Sequence, residues 1–212
     1  MGSLFRFQLQ PMIDAYGLKT FVETGTGRGD SLAWAANSPS FDLLLSCEIE
    51  PLLAAGAIAR FNEDQRVSIA RMDSRCFISL FARANLPPAL IWLDAHYPGA
   101  GFGLGEYDAE MPEERRLPLR RELEQIAAHR PGTDVVIIDD LRIYETGDYE
   151  DGPLPDDAPG NPQPGGADWV RTMFPGHHAS VVPRDQGYLV LRPKSTGRKS
   201  HFFFLLARNA WA

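Results

Sequence analysis

Phe21-Val22-Glu23-Thr24-Gly25-Thr26-Gly27-Arg28-Gly29-Asp30-Ser31 places an acidic residue at the end of a strand-like run and follows it with three alternating glycines. Glycine permits sharp bends and close approach of a ligand, and amides near the start of the next helix can receive a carboxylate or phosphate. The stretch therefore reads as a strand, a turn and a helix that bind a nucleotide-like cofactor. A dinucleotide-binding turn needs G-x-G-x-x-G, whereas the third glycine here comes one residue early and Asp30 stands in its place. A phosphate-binding P-loop is excluded, because no Gly-Lys-Ser/Thr follows a four-residue gap.

Charge narrows the choice further. Glu23 would repel a pyrophosphate and attract the cationic amino and sulfonium groups of S-adenosylmethionine. Glu48 ends the next strand-like run, 23 positions after Gly25, where doubly wound folds place an acid on the ribose hydroxyls. A solvated strand-end glutamate is its plainer reading. Asp73 and Ser74 end the third run, and Asp is also a common turn residue.

Strand-like and helix-like patterns alternate through the first two thirds of the chain, as in a parallel sheet flanked by helices. Strands are expected at 20–23, 41–47, 67–70, 90–93 and 135–138. Helices are expected at 32–36, with Asp30 and Ser31 as caps, and at 52–61, 75–84 and 119–129. The C-terminal part offers three strand candidates, 179–183, 188–191 and 201–206, with His177 and His178 in a loop before the first. Segments 97–116 and 145–168 break the rhythm after strand C-termini, the edge where open α/β sheets bind ligands, and read as substrate-side loops or as flexible insertions. Trp34, Trp92 and Trp169 read as packing residues, with Trp169 also placed to line a pocket.

A length of 212 residues suits one domain with a sizeable core. The net charge of −7 argues against a nucleic-acid backbone as the main partner. Cys47 and Cys76 form no CxxC or zinc spacing and read as reduced thiols. No apolar run approaches the ~20 residues of a membrane span, and the opening residues lack a signal-peptide core, so a cytoplasmic protein with no membrane partner is expected. Residues 202–206, behind a polar linker, are a candidate edge strand or homodimer contact within an extra tail at 194–212.

The first motif, acidic-x-Gly-x-Gly-x-Gly, resembles that of the class I S-adenosylmethionine-dependent methyltransferases. That resemblance covers most of residues 20 to 192 and implies a Rossmann-like, mostly parallel sheet of about seven strands with an antiparallel C-terminal strand. It also implies donor contacts from Glu23, Thr24, Gly25, Gly27, Ser31, Glu48, Asp73 and Ser74.

Two further strings, Leu93-Asp94-Ala95-His96-Tyr97 and Ile138-Asp139-Asp140, end the fourth and fifth runs and set carboxylates on neighbouring strands. Hard oxygen ligands suit magnesium. These strings look like the metal-dependent sugar O-methyltransferases of the macrocin type, which implies Asp94, Asp139 and Asp140 as metal ligands. His96 falls where that family has a second aspartate, the presumed base, and an imidazole near neutrality can take a hydroxyl proton. Strand-terminal aspartates also cap helices and make turns, so that reading stays open. The expected function is S-adenosylmethionine-dependent O-methylation of a small-molecule hydroxyl such as that of a sugar, with Asp94 and His96 catalytic and magnesium as a second cofactor. An NAD-dependent oxidoreductase and a non-catalytic cofactor-binding partner protein are the alternatives.

Overall fold

The computed structural model describes residues 3–105 and 112–194. Five strands, β1 (Thr20–Thr24), β2 (Leu43–Glu48), β3 (Val67–Arg71), β4 (Ala89–Leu93) and β5 (Val135–Ile138), run parallel. A terminal hairpin of β6 (His177–Val182) and β7 (Tyr188–Pro193) completes a seven-stranded sheet, ordered β3-β2-β1-β4-β5-β7-β6, with β7 antiparallel to β5. The class I architecture read from the sequence is thus the observed one. The two terminal strands are the 177–182 and 188–193 segments, and the third candidate, 201–206, lies outside the described residues. His177 and His178 belong to β6 itself, not to a preceding loop, because they pair with Pro193 and Arg192.

Alternation along the central strands divides the core into two. Val22, Ile91, Leu93, Val136, Ile138, Leu189 and Leu191 face one side. There they meet Phe77, Ile78 and Phe81 of one helix (Ser74–Arg83), Leu123 and Ile126 of another (Leu119–His129), and Val170 of a short third (Asp168–Met173). Phe21, Leu44, Leu90, Trp92, Val135, Ile137 and Tyr188 face the other side, against Met12 and Ile13 of a helix at Leu9–Tyr16 and Leu32 and Ala35 of one at Asp30–Ala36. Strands covered on both faces are apolar at every position, as β4 and β5 are. The helix at Leu9–Tyr16 was not anticipated, although Leu9, Met12 and Ile13 have helical spacing and Gly17 ends it in a left-handed conformation.

Asp134 fastens the end of the sheet opposite the glycine turn. Its carboxylate accepts the Ala89 N–H at 2.8 Å and the Arg130 guanidinium at 2.9 Å, and Arg130 reaches on to the Pro87 carbonyl at 3.0 Å. Both side chains are buried. Replacing Asp134 by Ala strands the guanidinium and should lower unfolding stability by roughly 3–5 kcal/mol; urea denaturation would measure it, and a loss below about 1 kcal/mol would refute the role.

Candidate functional site

At the C-terminal edge of the parallel strands a cleft of about 640 Å³ opens between the glycine turn and the loops after β3, β4 and β5. Its lining includes Glu23, Gly25, Gly27, Ser31, Glu48, Asp73, Ser74, Asp94, His96 and Asp140. Ten of the residues singled out in the sequence therefore meet at one place. Two do not line it. Thr24 is fully buried beneath the turn, and Asp139 is buried behind β5, so neither side chain meets a ligand in the cleft.

The turn is built differently from an anion cradle. Its glycines at 25, 27 and 29 all have positive φ, of 78°, 54° and 81°. The amides of Gly25 and Thr26 donate to the Cys47 carbonyl, that of Gly27 to Glu48 Oε2 at 2.8 Å, and that of Gly29 to the Thr26 carbonyl. These donors are engaged inside the protein, which corrects the expectation that they receive a ligand carboxylate or phosphate. What the turn offers a ligand is the absence of side chains and the carboxylates around it. Nor do Asp30 and Ser31 cap the helix: Gly29 is the N-cap, and Asp30 pairs with Arg60 at 2.7 Å.

Glu48 holds this turn to β2. Its carboxylate accepts the amides of Gly27, Ile49 and Glu50 at 2.8, 2.8 and 2.9 Å, which leaves one acceptor direction, on Oε2, for a ligand hydroxyl. Asp73 caps the helix at Ser74–Arg83 through the Arg75 amide and pairs with the Arg75 guanidinium at 2.8 Å. The Arg75 side chain keeps the Asp73 carboxyl below its usual range. Asp73, whose plainer reading is a turn residue, is thus a helix N-cap, and it also lines the cleft.

Four acids gather at the cleft floor, Glu23 and Asp94 in its lining and Asp139 and Glu122 buried behind it. Burial pushes Glu23 up to about 8 against the opposing hydrogen bond from the Ser46 hydroxyl, itself 2.6 Å from the Thr26 hydroxyl. Burial raises Asp139 to about 7, helped by repulsion from Asp140, and raises Asp94 well above its ordinary value, helped by repulsion from Asp139. Glu122, on the buried face of the helix at Leu119–His129, is raised to about 7, chiefly by burial. The Asp140 backbone amide eases the Asp139 carboxyl only in part; Asp94 faces it, and a proton on either carboxyl would join the pair. Glu122 was missed, although an acid between Leu119, Leu123 and Ile126 on an apolar helix face is the signal that marks it.

His96 stands between two acids. Its Nδ1 lies 3.6 Å from Asp94 Oδ1 and its Nε2 lies 3.5 Å from Asp140 Oδ2. Burial lowers its pKa, only partly offset by Asp140, so the ring is neutral at pH 7. Asp140 sits at φ 49°, and its other oxygen takes the Arg142 guanidinium at 2.9 Å.

The three aspartates do not form a metal cage. Asp139 points away from the cleft toward Asp94, and Asp140 is held by a cation. Among the described residues no group of three or more His, Cys, Asp or Glu is arranged to hold a metal ion. The expectation of Asp94, Asp139 and Asp140 as magnesium ligands is corrected accordingly.

The loops are held over the site. Tyr97, at φ 45°, donates its hydroxyl to the Pro159 carbonyl, and its amide donates to the Arg116 carbonyl. Phe102 lies on the turn, its ring 2.7 Å from where a Gly27 Cβ would stand. The 145–168 segment is tied down by Glu145, which takes Arg171 at 3.0 Å, and by Tyr149, which donates to the Glu145 carbonyl at 3.0 Å. It shows the cleft its apolar Leu154, Pro155 and Ala158. Among the described residues no helix is long and apolar enough to cross a membrane.

The raised acids fix the sign of a pH dependence. Glu23, Glu122 and Asp139 hold protons in the folded chain at pH 6 but not in the unfolded one. The folded state therefore binds more protons, and stability falls as pH rises from about 4.5 through about 8. Thermal melting should give a lower Tm at pH 8.5 than at pH 5.5, with a smaller difference in Glu23→Gln; a Tm that rises over this interval would contradict the assignment.

Neither a protein-family model nor a curated protein sequence matches the chain. Solved structures do match its fold. The Bacillus cereus O-methyltransferase in complex with S-adenosylhomocysteine is 19% identical over 88% of this chain and 79% of its own, with a TM-score of 0.54. The O-methyltransferase TomG of Streptomyces achromogenes, involved in tomaymycin synthesis and solved with S-adenosylmethionine, is 19% identical over 87% and 77%, with a TM-score of 0.51. The methyltransferase domain of bacterial CtHen1 is 12% identical over 87% and 95%, with a TM-score of 0.55. With its strand order, reversed β7 and glycine turn on β1, this chain has the class I methyltransferase fold.

Proposed function

We propose that the protein is an S-adenosylmethionine-dependent O-methyltransferase acting on a hydroxyl of a small molecule, with His96 as general base. The observation that carries this reading is the convergence, in one cleft, of the glycine turn with Glu23 and Glu48 and of His96 between Asp94 and Asp140. O-methyltransferases of the same fold, solved with this donor or its product, support it.

The residues fit such a donor. Glu23 is a desolvated carboxyl beside the bare backbone of Gly25, suited to a cationic group, and Glu48 keeps one acceptor direction for a ribose hydroxyl. When bound, S-adenosylmethionine supplies an electrophilic methyl group on a cationic sulfur. The protein's part is proton removal and positioning. Neutral His96 takes the acceptor's hydroxyl proton, and Asp94 and Asp140 on either side stabilise the imidazolium that results. The proton transfer needs no metal: Arg142 holds Asp140, and Asp139 pairs with Asp94.

Calorimetry with S-adenosylmethionine, S-adenosylhomocysteine and NAD should show binding of the first two and not the third. Gly27→Val, which thrusts a branched side chain into Phe102 at a positive φ, should weaken binding at least tenfold. With an acceptor in hand, His96→Gln should lower turnover by about 10²–10⁴ at little change in donor affinity, and EDTA should leave wild-type turnover unchanged. Preference for NAD would return the chain to the oxidoreductase reading, and loss of turnover in EDTA would restore the metal.

A further inference from the structure

Residues 3–7 run along one rim of the cleft as a short strap, a single turn at Leu4–Arg6 with Ser3 and Phe5 in the cleft lining. On one side Phe5 sets its ring edge-on against Trp34, at 5.2 Å between centroids, on the helix that follows β1. On the other, Arg6 reaches the turn between β6 and β7, where its Nε lies 3.0 Å from Asp185 Oδ2 and its Nη2 pairs with Oδ1. In the sheet β4 and β5 lie between β1 and β7, so the strap passes the strand ends that carry His96 and Asp140.

The strap is anchored at one end and clasped at the other. Phe7, directly before the helix at Leu9–Tyr16, is buried with its ring 5.2 Å from Tyr188 and 6.3 Å from Trp92. Leu4 is buried as well, whereas Phe5 is 44% exposed and the Arg6 side chain 36%. The loops that form the rest of the rim interlock: Tyr97 donates to the Pro159 carbonyl, and the Asp151 amide donates to the Asp185 carbonyl at 2.8 Å. The strap meets them at Asp185. Arg6 also stands 3.9 Å from Glu150, and the Ser3 amide donates at 2.8 Å to the Tyr188 hydroxyl, which in turn donates to the Asp185 carboxylate. A segment pinned in the core at Phe7 and clasped by a part-exposed ion pair is built to open locally while the rest of the fold stays closed.

Resting on the methyltransferase reading, we infer that residues 3–6 are a gate on the cleft that pivots at Phe7, with the Arg6–Asp185 ion pair as its latch. Closed, the gate keeps ligands in and water out; open, it admits the donor and releases its product. Opening takes Leu4 out of the core and Phe5 off Trp34, so the closed state is the resting one. Neither Arg6 nor Asp185 lines the cleft. The latch therefore acts on free and occupied protein alike, and it sets how fast ligands exchange, not how tightly they bind.

The test measures association and dissociation of S-adenosylhomocysteine on the intact chain by stopped-flow tryptophan fluorescence. Arg6→Gln and Asp185→Asn should each raise both rates roughly tenfold, the worth of one hydrogen bond to a charged group, and leave Kd within about twofold. A fixed wall weakened by the same substitutions would instead raise Kd with association unchanged. Raising salt from about 0.05 M to about 1 M screens a part-exposed pair, so it should speed both rates in the unmodified chain and have little effect in Arg6→Gln. The salt series reads the latch without any substitution if a variant does not melt cooperatively. Rates indifferent to salt, rates unchanged in the folded variants, or a rise in Kd without faster association would overturn the inference. Failure of S-adenosylhomocysteine itself to bind the unmodified chain would overturn the methyltransferase reading instead.

Discussion

The contact on which the site depends is the approach of Gly25 to the end of β4. A Cβ at Gly25 would lie 2.7 Å from the Asp94 carbonyl oxygen, and the residue's φ of 78° is one that side chains rarely adopt. Because β1 and β4 are adjacent, with Thr24 opposite Leu93, the glycine turn and the Asp94-Ala95-His96 string leave the sheet side by side. Any side chain at Gly25 would wedge the two apart. The buried runs of β1 and β4 bring the strands together, and one glycine lets the chemistry at their ends meet.

That closeness concentrates acids. Glu23, Asp139 and Glu122 are removed from water and Asp94 is largely covered, and in each of them burial is the largest influence on the carboxyl. The fold meets this with protons and hydroxyls more than with cations. Ser46 donates to Glu23, Ser74 and Thr24 face Glu122, and Asp94 faces Asp139, while arginines pair with Asp73, Asp140 and Asp185. A cationic ligand is the natural counterpart of such a floor, since it would let Glu23 ionise without leaving a bare charge in the interior.

Much of the fold was legible because its signals are local. The apolar runs at 90–93 and 135–138 sit within a residue of β4 and β5, and the helices expected at 52–61, 75–84 and 119–129 lie within a residue of the observed ones, whereas those at Glu113–Arg116 and Asp168–Met173 fall in segments read as loops or beside them. Elements whose reasons are tertiary were not legible. His177 is a strand residue because Pro193 lies opposite it, whereas the helix at Leu9–Tyr16 carries local signals, the spacing of Leu9, Met12 and Ile13 and the Gly17 cap, that went unread. In the site, the sequence brought the right residues to one edge but could not say which way they face. Asp139 and Asp140 are neighbours in the chain, yet one turns behind the strand and the other, at a left-handed φ, turns into the cleft. That single reversal separates a three-carboxylate metal cage from a histidine flanked by two acids.

The glycine turn illustrates why motif and mechanism have to be argued separately. Three glycines before a helix suggest amides turned toward an anion, and a dinucleotide site uses them so. Here the amides of Gly25, Thr26, Gly27 and Gly29 are taken by Cys47, Glu48 and Thr26 within the protein. The acid that ends β2 accepts one of them, so the residue placed for a ribose is also the one that withdraws a donor from any phosphate. With its amides engaged and the Glu23 and Glu48 carboxyls beside it, the turn offers a ligand acceptors and an ionisable acid where a dinucleotide site offers donors. It is this inversion, more than the spacing of the glycines, that separates a site suited to a cationic cofactor from one built for a pyrophosphate.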